Sequence, residues 1–459
     1  MLETKLPVPP TLKKTIGPSF ILLGLALGSG ELLLWPYLAA TYGLGLLWGA
    51  LLGISLQFVL NTEAMRYTLA WGESVFVGLQ KLSKAVPYWF IISTVIPWSI
   101  PGFSSATASI LHTLFPILPE KILAISLLIL TGLMLSLGST LYQTMERFQK
   151  IVIFIGLPFL LLITLWLSSW QDWFTAGKGL IGIGEHWWLF PPGVAIASFL
   201  GAFAYAGAGG NLNLAQSYYI KEKGFGMGRY MGKISALFSR NKERVSLIGQ
   251  HFAHNKTNQS RWNAWWQLVN REHALIFWGL GLFTIILLSV LAYSTVYGEV
   301  SDQGLSFLFA QARVIGTNTT SIFQVLFLLV AAGMLFATQV GVLESSSRII
   351  SENIVLAAGK RMTRWSLGNW FYFALWFQIA IGIFMYGIGL QEPRLLITLS
   401  AILNAAAMMV AFGLLHILNK RHILSPYQPS LLRNVLLLTA SVIFAGFLIK
   451  TIVDQFAMM

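Results

Sequence analysis

Two glycine-rich stretches hold the residues whose types and spacing could do chemistry, and each lies inside a long apolar segment. Leu25 to Leu34 reads LALGSGELLL, and Tyr205 to Leu214 reads YAGAGGNLNL. Glycine costs about 1 kcal/mol in a helix interior, so two or three within four residues predict that each helix unwinds there. Unwound backbone at membrane depth is tolerated only where protein buries it or it lines a cavity. The stretches therefore predict a binding site, although small residues in membrane helices also allow close packing.

Glu31 is the carboxylate deep inside the first apolar segment. A charge at the bilayer centre is costly, so this side chain needs a cation or a proton. The surrounding hydroxyl, amides and freed carbonyls are oxygen ligands, which suit a hard divalent cation. The alternative is a protonated glutamate hydrogen-bonded between helices. The predicted binding residues are Gly28, Ser29, Gly30 and Glu31, with Gly207, Ala208, Gly209, Gly210, Asn211 and Asn213.

Further polar residues lie in later apolar segments. Gln339 and Asn404 could line a cavity, or could form hydrogen bonds between helices. Glu344 stands four residues before Arg348, which predicts an ion pair at the end of a segment. The chain has no cysteine, which excludes disulfides and thiolate metal sites, and we expect no cofactor apart from a transported ion.

The composition requires a membrane environment. Hydrophobic residues make up 56% of the 459 residues and charged residues 10%, too little charge for a water-exposed surface. Continuously apolar stretches long enough to cross a bilayer indicate helices rather than barrel strands. We expect an all-α integral membrane protein with about eleven spans, at 16–40, 44–65, 86–111, 122–137, 151–166, 192–219, 274–293, 322–342, 370–388, 395–418 and 431–449.

The net charge of +13 follows the positive-inside rule. With a cytoplasmic N-terminus, 25 of the 30 lysines and arginines lie inside, and an odd number of spans places the C-terminus outside. The excess therefore reflects topology and contact with the lipid bilayer, and no nucleic-acid-binding signature accompanies it. We expect a multi-pass protein of the bacterial inner membrane, with no protein partner and in monomeric form.

The two interrupted spans are the first and the sixth, five apart, as in inverted five-helix repeats with a substrate site at the paired breaks. We expect one transmembrane transporter domain over 1–459, with repeats at 16–166 and 192–418 and an extra helix at 431–449. The polar stretch 220–273 is then a basic cytoplasmic loop. Its tail, Arg261 to His273, is either an amphipathic interfacial helix or a segment packed under the bundle.

Several motifs resemble those of the natural resistance-associated macrophage protein (Nramp) metal-ion transporters. The likeness includes Gly17-Pro18 before the first break and the run from Tyr42 to Trp48 at the start of the second span. Counting back from Tyr42, the segment 28–31 falls at that family's Asp-Pro-Gly-Asn metal motif, and 211–214 lies at or beside its Met-Pro-His segment. The resemblance implies a LeuT-type fold of eleven or twelve helices with broken helices 1 and 6, and metal-ion transport.

The departures from that family change the expected substrate. Gly28 stands at the metal-binding aspartate and Glu31 at the asparagine, and the soft methionine has no counterpart. Oxygen donors without a thioether favour Mg²⁺, Ca²⁺ or Mn²⁺ over softer metals. The third and ninth spans also lack the ionisable residues through which typical members carry protons, so we expect weak proton coupling by that route.

The sequence therefore predicts a secondary transporter of a hard divalent cation, Mg²⁺ or Mn²⁺ being favoured. A small organic solute, such as an amino acid or an organic cation, is the alternative, since broken helices bind both kinds of substrate. We do not expect an enzyme, because the spans contain no nucleophile with a paired base and no catalytic residue stands out.

Overall fold

A computed structural model describes residues 5–137, 141–231, 247–299, 305–359 and 366–457. Within those ranges the regular structure is helical, and the β pairing is limited to an isolated bridge between Ile183 and Trp188. The all-α prediction is therefore confirmed.

Eleven helices cross the bundle in the described ranges, and we number them first to eleventh along the chain. Nine are individually long and apolar enough to span a membrane, whereas the third and sixth are divided into shorter pieces. The end of the bundle where the first helix begins is named the N-terminal side, and the opposite end the far side. The helices are Pro18–Tyr42, Leu47–Trp71, Val86–Trp98 with Gly102–Leu114, Glu120–Leu137, Leu141–Leu167, Ile196–Ala204 with Gly210–Lys223, Ala274–Val296, Ser321–Ala358, Leu367–Gly387, Pro393–His422 and Leu431–Ala457.

The first helix lies at the centre of the bundle. Its most apolar 18-residue window is 100% buried, against 28% for the fifth helix and 22% for the eleventh. The outer helices expose large apolar side chains such as Phe154, Trp166 and Leu432, a surface suited to lipid. Residues in the middle of the first helix therefore meet protein, or whatever is bound inside it, rather than lipid.

The third helix carries an interruption that the glycine patterns do not predict. It stops at Trp98 and starts again at Gly102. Pro101 has no backbone N–H, so the α-helical hydrogen-bond ladder cannot continue through it. Its carbonyl accepts a hydrogen bond from the Tyr386 hydroxyl of the ninth helix at 2.7 Å. A neighbouring helix thus satisfies the backbone that the break leaves free.

Much of the predicted loop 220–273 is helical. The sixth helix continues to Lys223, and a helix at Lys256–His273 runs directly into the seventh, while 232–246 lies outside the described residues. Trp262 and Trp265 on this helix are buried, and Nε1 of Trp265 donates to the Pro7 carbonyl at 2.7 Å. The segment is therefore helical, as the first alternative predicted, and it packs against the bundle through its tryptophans, as the second predicted.

Candidate functional site

The sixth helix unwinds at its glycine-rich stretch. Its α-helical part ends at Ala204, and helical turns resume as a 3-10 helix at Gly210. Gly209 and Gly210 have φ angles of 76° and 52°, in the left-handed region that glycine enters without steric cost. The predicted interruption of the sixth helix is therefore confirmed.

An amide side chain from the second helix bonds to both sides of this break. Gln57 Nε2 donates to the carbonyls of Phe203 and Ala204 at 3.4 and 3.2 Å. Its Oε1 accepts from the Gly209 N–H at 3.3 Å and from Asn213 Nδ2 at 3.0 Å. Backbone groups freed inside a membrane must find partners within the protein, and Gln57 supplies them.

Gln57 is not among the predicted site residues, although its position in the sequence carries a signal. A glutamine in the middle of a long apolar span is costly unless it bonds to something buried. Its partners lie far away in the chain: Phe203 is 146 residues from Gln57, and Asn213 is 156 residues from it. No local sequence pattern therefore connects them.

The tenth helix closes the other side of the break. A Cβ atom at Gly210 would lie 1.9 Å from Oδ1 of Asn404, so only glycine fits there. Asn404 Nδ2 donates to the Tyr205 hydroxyl at 3.1 Å, and that hydroxyl lies 2.8 Å from Ser400 Oγ. Asn404 therefore borders the break, as its assignment to a cavity lining requires, and it also bonds between helices.

The two predicted asparagines point to different neighbours. Asn211 Nδ2 donates to Ser93 Oγ and Thr94 Oγ1 of the third helix, both at 2.9 Å. Asn213 Nδ2 turns toward Gln57, and lies 4.0 Å from the sulfur of Met408 on the tenth helix. The amide nitrogens of both residues are thus used by the protein.

The side-chain amide oxygens of these asparagines lack hydrogen bonds within the described part of the chain. Oδ1 of Asn211, Asn213 and Asn404 is buried, and no hydrogen-bond donor reaches it from the described part of the chain. A buried acceptor without a donor costs about 1–3 kcal/mol. Oxygen acceptors freed of competing donors are suitable ligands for a hard cation.

The first helix is interrupted in a different manner. Leu27–Leu34 winds as a π-helix between two α-helical parts, so the stretch is widened rather than extended. π-Helical turns are rare and occur frequently at functional sites. The departure from α geometry lies at the predicted place, but the predicted unwinding does not occur there, because the first helix stays helical from Pro18 to Tyr42.

The small residues of this stretch bring neighbouring helices into close contact. Gly28 N–H donates to Thr338 Oγ1 of the eighth helix at 2.9 Å. A Cβ at Gly30 would lie 1.7 Å from the carbonyl oxygen of Tyr205, at the start of the sixth-helix break. Ser29 Oγ donates back to the Ala26 carbonyl at 3.2 Å. Packing therefore accounts for the two glycines, while the Ser29 hydroxyl proton serves its own helix.

Glu31 is fully buried, and neither carboxylate oxygen has a hydrogen-bond partner among the described residues. Apolar side chains lie near it. A Cβ atom placed at Gly281 of the seventh helix would lie 3.5 Å from Glu31 Oε1, 2.9 Å from Ile54 and 3.2 Å from Leu23. An ionised carboxylate in such a site must be neutralised by a proton or paired with a cation.

Glu31 and the sixth-helix break adjoin the same two helices. On the second helix, Ile54 lies near the same point as Glu31. It stands one turn before Gln57, which bonds to the break. On the seventh helix, Gly281 lies near Glu31 and stands one turn after Phe277. A Cβ atom at Gly207, in the break, would lie 2.6 Å from Cζ of Phe277. Residues one turn apart on a helix are neighbours, about 5–6 Å between Cβ atoms. Glu31 therefore lies in the same region of the bundle as the break.

Gln339 and Glu344 form their contacts away from the sixth-helix break. Gln339 Oε1 accepts from the Ser104 N–H at 3.2 Å, just beyond the third-helix interruption. Glu344 forms the predicted ion pair with Arg348, but the pair is buried within the helix Ser321–Ala358 rather than lying at its end. The same arginine also bonds to Glu222 of the sixth helix. All three charged side chains of this network are buried, so it ties the sixth helix to the eighth on the N-terminal side.

Conventional metal-ligand clusters are absent from the described ranges, in which no group of three histidine, aspartate or glutamate side chains could hold an ion. A cation bound near the breaks would depend on amide and backbone oxygens, with Glu31 as the charged ligand. Ala208, also predicted, is buried within the break and offers only its backbone.

Comparison with solved structures shows that the helices adopt a LeuT-type fold. No family model matches the chain, and no curated protein matches it. A point mutant of the Eremococcus coleocola manganese transporter superposes with a TM-score of 0.69 at 14% identity, covering 98% of this chain and 95% of that one.

Two further solved structures agree. The same manganese transporter in complex with an aromatic bis-isothiourea substituted compound gives a TM-score of 0.65 at 14% identity, over 98% of this chain and 95% of that one. Mhp1, a nucleobase-cation-symport-1 family transporter with bromovinylhydantoin bound, gives 0.57 at 12% identity, over 97% and 92%. These likenesses span nearly the whole chain, and at such identities they show the fold.

Proposed function

We propose that the chain is a secondary transporter that moves a hard divalent cation, Mg²⁺ or Mn²⁺, by alternating access. The observation that carries the proposal is the unpaired, buried carboxylate of Glu31, which follows Gly30 at its contact with Tyr205, where the broken sixth helix with its donor-free amide oxygens begins to unwind. A bound divalent cation would pair with that charge and would take as ligands those of the oxygens that lie within reach of it.

The donor set favours a hard ion. The ligands on offer are the Glu31 carboxylate, the Oδ1 atoms of Asn211, Asn213 and Asn404, and backbone carbonyls of the break. The thioether of Met408 lies 4.0 Å from Asn213 Nδ2, so its contact in the structure is with an amide donor. Oxygen-only sites suit magnesium, calcium and manganese, whereas soft ligands select other metals.

The fold and the sequence motifs support a relationship to metal transporters. The chain superposes over nearly its full length on a manganese transporter. Gly17-Pro18 and the run from Tyr42 to Trp48 resemble Nramp motifs. We infer a divergent Nramp-like branch, placed in the bacterial inner membrane with a cytoplasmic N-terminus by its basic residues.

A small organic solute is the second candidate, and the likeness to Mhp1 favours it. Trp98 stacks on Tyr205 at the start of the sixth-helix break, with ring centroids 5.7 Å apart and planes 22° apart. Aromatic faces bordering a break are suited to flat or cationic organic molecules. The two candidates differ in whether Glu31 contributes its charge to affinity.

Uptake into proteoliposomes tests both candidates. The purified protein is assayed with Mg²⁺, Mn²⁺, Ca²⁺, Na⁺, amino acids and nucleobases, each with an empty-liposome control. We expect saturable Mg²⁺ or Mn²⁺ uptake that Glu31→Gln weakens and that Glu185→Gln, an exposed carboxylate on the far side, leaves unchanged. Saturable uptake of an organic solute without any divalent cation would replace the metal proposal.

A further inference from the structure

A second buried polar cluster lies on the N-terminal side, outside the π-helical stretch of the first helix and the break of the sixth. Ser19 of the first helix stands between two consecutive residues at the entrance of the seventh helix. Its Oγ lies 2.5 Å from Glu272 Oε2 and 2.7 Å from His273 Nδ1. All three side chains are buried. A carboxyl, a hydroxyl and an imidazole are thus joined in one hydrogen-bonded chain.

Aromatic rings enclose the imidazole. His273 stacks on Phe58 and on Phe277, with centroids 5.5 and 4.6 Å apart and planes within 20° of parallel. Phe277 in turn borders the sixth-helix break at Gly207. Nε2 of His273 is buried, and no partner reaches it from the described residues. The cluster therefore adjoins the proposed substrate region while sharing none of its ligands.

The hydrogen-bond chain can be completed in two directions. In one, the Ser19 hydroxyl donates to an ionised Glu272, and His273 donates from Nδ1 to Ser19, which leaves Nε2 without a proton. In the other, a protonated Glu272 donates to Ser19, Ser19 donates to Nδ1, and Nε2 carries the proton. The second arrangement holds one proton more than the first, and its charge is higher by one unit.

We propose that Glu272, Ser19 and His273 form a binding site for a single proton, separate from the cation ligands. A proton that arrives at Nε2 is matched by transfer of the Nδ1 proton to Ser19 Oγ and of the hydroxyl proton to Glu272. The covalent framework is unchanged, and each N–H or O–H bond broken is replaced by one formed. Uptake of one proton converts a singly negative cluster into a neutral one.

The charged groups around the cluster come from the helices packed against it. Lys223 of the sixth helix attracts Glu272, and also bonds to Glu146 of the fifth helix at 2.9 Å. Tyr142 of the fifth helix lies beside Gly17, whose N–H donates to Glu272 Oε1 at 3.5 Å. The sixth helix also contributes Gln216, the second contributes the apolar Phe58 and Met65, and Arg271 on the cluster's own helix is exposed.

Protonation of this site changes how the first helix is held. Ionised Glu272 accepts hydrogen bonds from both Gly17 and Ser19, at the start of that helix. Once protonated, it donates to Ser19 and loses the charge that attracts the Gly17 N–H. A proton could in this way be coupled to movement of the first helix, a link that rests on the proposed transport function. It needs no ionisable residue in the third or ninth helix.

Infrared and nitrogen NMR titrations test the site without any transport measurement. The purified protein is titrated between about pH 4 and pH 9, which brackets ordinary glutamate and histidine titration. We expect a buried carboxylic acid C=O band that titrates, is lost in Glu272→Gln and is kept in Glu31→Gln. The proton of His273 should move from Nδ1 to Nε2 in step with that band. Independent titration of the two groups, or a band unchanged in Glu272→Gln, would overturn the proposal.

Two further variants keep the test decisive if Glu272→Gln folds poorly. Ser19→Ala removes the connecting hydroxyl and should separate the titrations of Glu272 and His273, whereas coupled titration in it would refute the chain. Glu352→Gln alters a buried carboxyl that bonds to Ser74 without an imidazole, and should leave the band in place. Loss of the band in Glu352→Gln would show that the band belongs to Glu352 rather than Glu272, and would refute the site.

Proteoliposome uptake separates this inference from the proposed function. If the band titrates as expected while no divalent cation is transported, the proton site stands and the substrate proposal fails. If cations are transported and Glu272→Gln leaves the pH dependence of uptake and the accompanying proton flux unchanged, the substrate proposal stands and coupling through the cluster fails.

Discussion

Gln57 bonds to Gly209 and to Ala204 with one amide group, accepting from the N–H of the first and donating to the carbonyl of the second. In an unbroken α-helix these backbone groups would bond to residues four positions away. A side chain from the second helix therefore takes over hydrogen bonds that the sixth helix gives up. The break is a stable element of the fold because of this replacement.

Replacement of Gln57 by leucine should weaken the fold and transport together. Leucine keeps the approximate size but leaves backbone groups of the break without partners, at about 1–3 kcal/mol each. We expect a lower melting temperature in detergent and strongly reduced uptake. Gln311→Leu is the matched control, since Nε2 of this buried glutamine has no partner among the described residues. Equal melting temperatures for the two variants would contradict the role of Gln57.

Loss of the charge at Glu31 should weaken cation binding by tenfold or more. Glu31→Gln keeps the shape and one oxygen but removes the charge that offsets desolvation of the ion, so the change is at least ~1.4 kcal/mol. Asn211→Ala should have a smaller effect, because it removes a neutral oxygen. Calorimetric Kd values for Mg²⁺ and Mn²⁺ measure both, with Glu185→Gln as control. An unchanged Kd in Glu31→Gln would make Glu31 a structural residue.

Acid should inhibit uptake by the wild-type protein. Protons and the cation compete for the Glu31 carboxylate, and protonation removes the ligand. Uptake should therefore fall as the pH is lowered, and a higher cation concentration should restore it. The measurement is initial uptake rate against pH at two Mn²⁺ concentrations. Inhibition that no concentration of the ion relieves would place the titrating group away from the ligands.

An added methyl group should distinguish the glycine contacts of the bundle. Gly30→Ala would place Cβ 1.7 Å from the Tyr205 carbonyl oxygen, so the first and sixth helices must separate. Gly413→Ala in the tenth helix meets nothing within 4 Å and gains about 1 kcal/mol of helix propensity. We expect Gly30→Ala to lower the melting temperature and abolish uptake, and Gly413→Ala to preserve both. Normal uptake by Gly30→Ala would contradict this contact.

Cysteine labelling tests the orientation in the membrane. Ser260 and Asn318 are both exposed, the first on the helix under the N-terminal side and the second on the far side. The native chain has no cysteine, so single Ser260→Cys and Asn318→Cys variants are clean reporters. An impermeant thiol reagent should label only the second in intact cells. Labelling of the first from outside would reverse the assigned topology.

The sequence was sufficient for the fold and for the positions of both interruptions. Continuous apolar runs fix the number of spans, because a helix is the way such a run satisfies its backbone in lipid. Glycine clusters locate the breaks through a local cost. The form of each break was not predictable, since a π-helix at Leu27–Leu34 and left-handed glycines at Gly209 and Gly210 depend on what packs around them.

Contacts between distant residues explain what the sequence could not give. Gln57 reaches the break across about 150 residues, and Ser19 meets Glu272 and His273 across about 250. Glu272 and His273 were assigned to the end of a loop, because the polar helix Lys256–His273 interrupts the hydropathy signal before the seventh span. Pro101 is a local signal for an interruption of the third helix. The sequence does not show that the Tyr386 hydroxyl satisfies the carbonyl at this interruption.

The contact at Gly30 has a mechanical consequence. The backbone of Gly30 lies against the carbonyl of Tyr205 with no side chain between them, so the first and sixth helices are in direct backbone contact there. Flexible side chains between two helices can absorb a small displacement, and none lies between the two backbones here. A displacement of the first helix at Gly30 would therefore act directly on the backbone of the sixth helix at Tyr205.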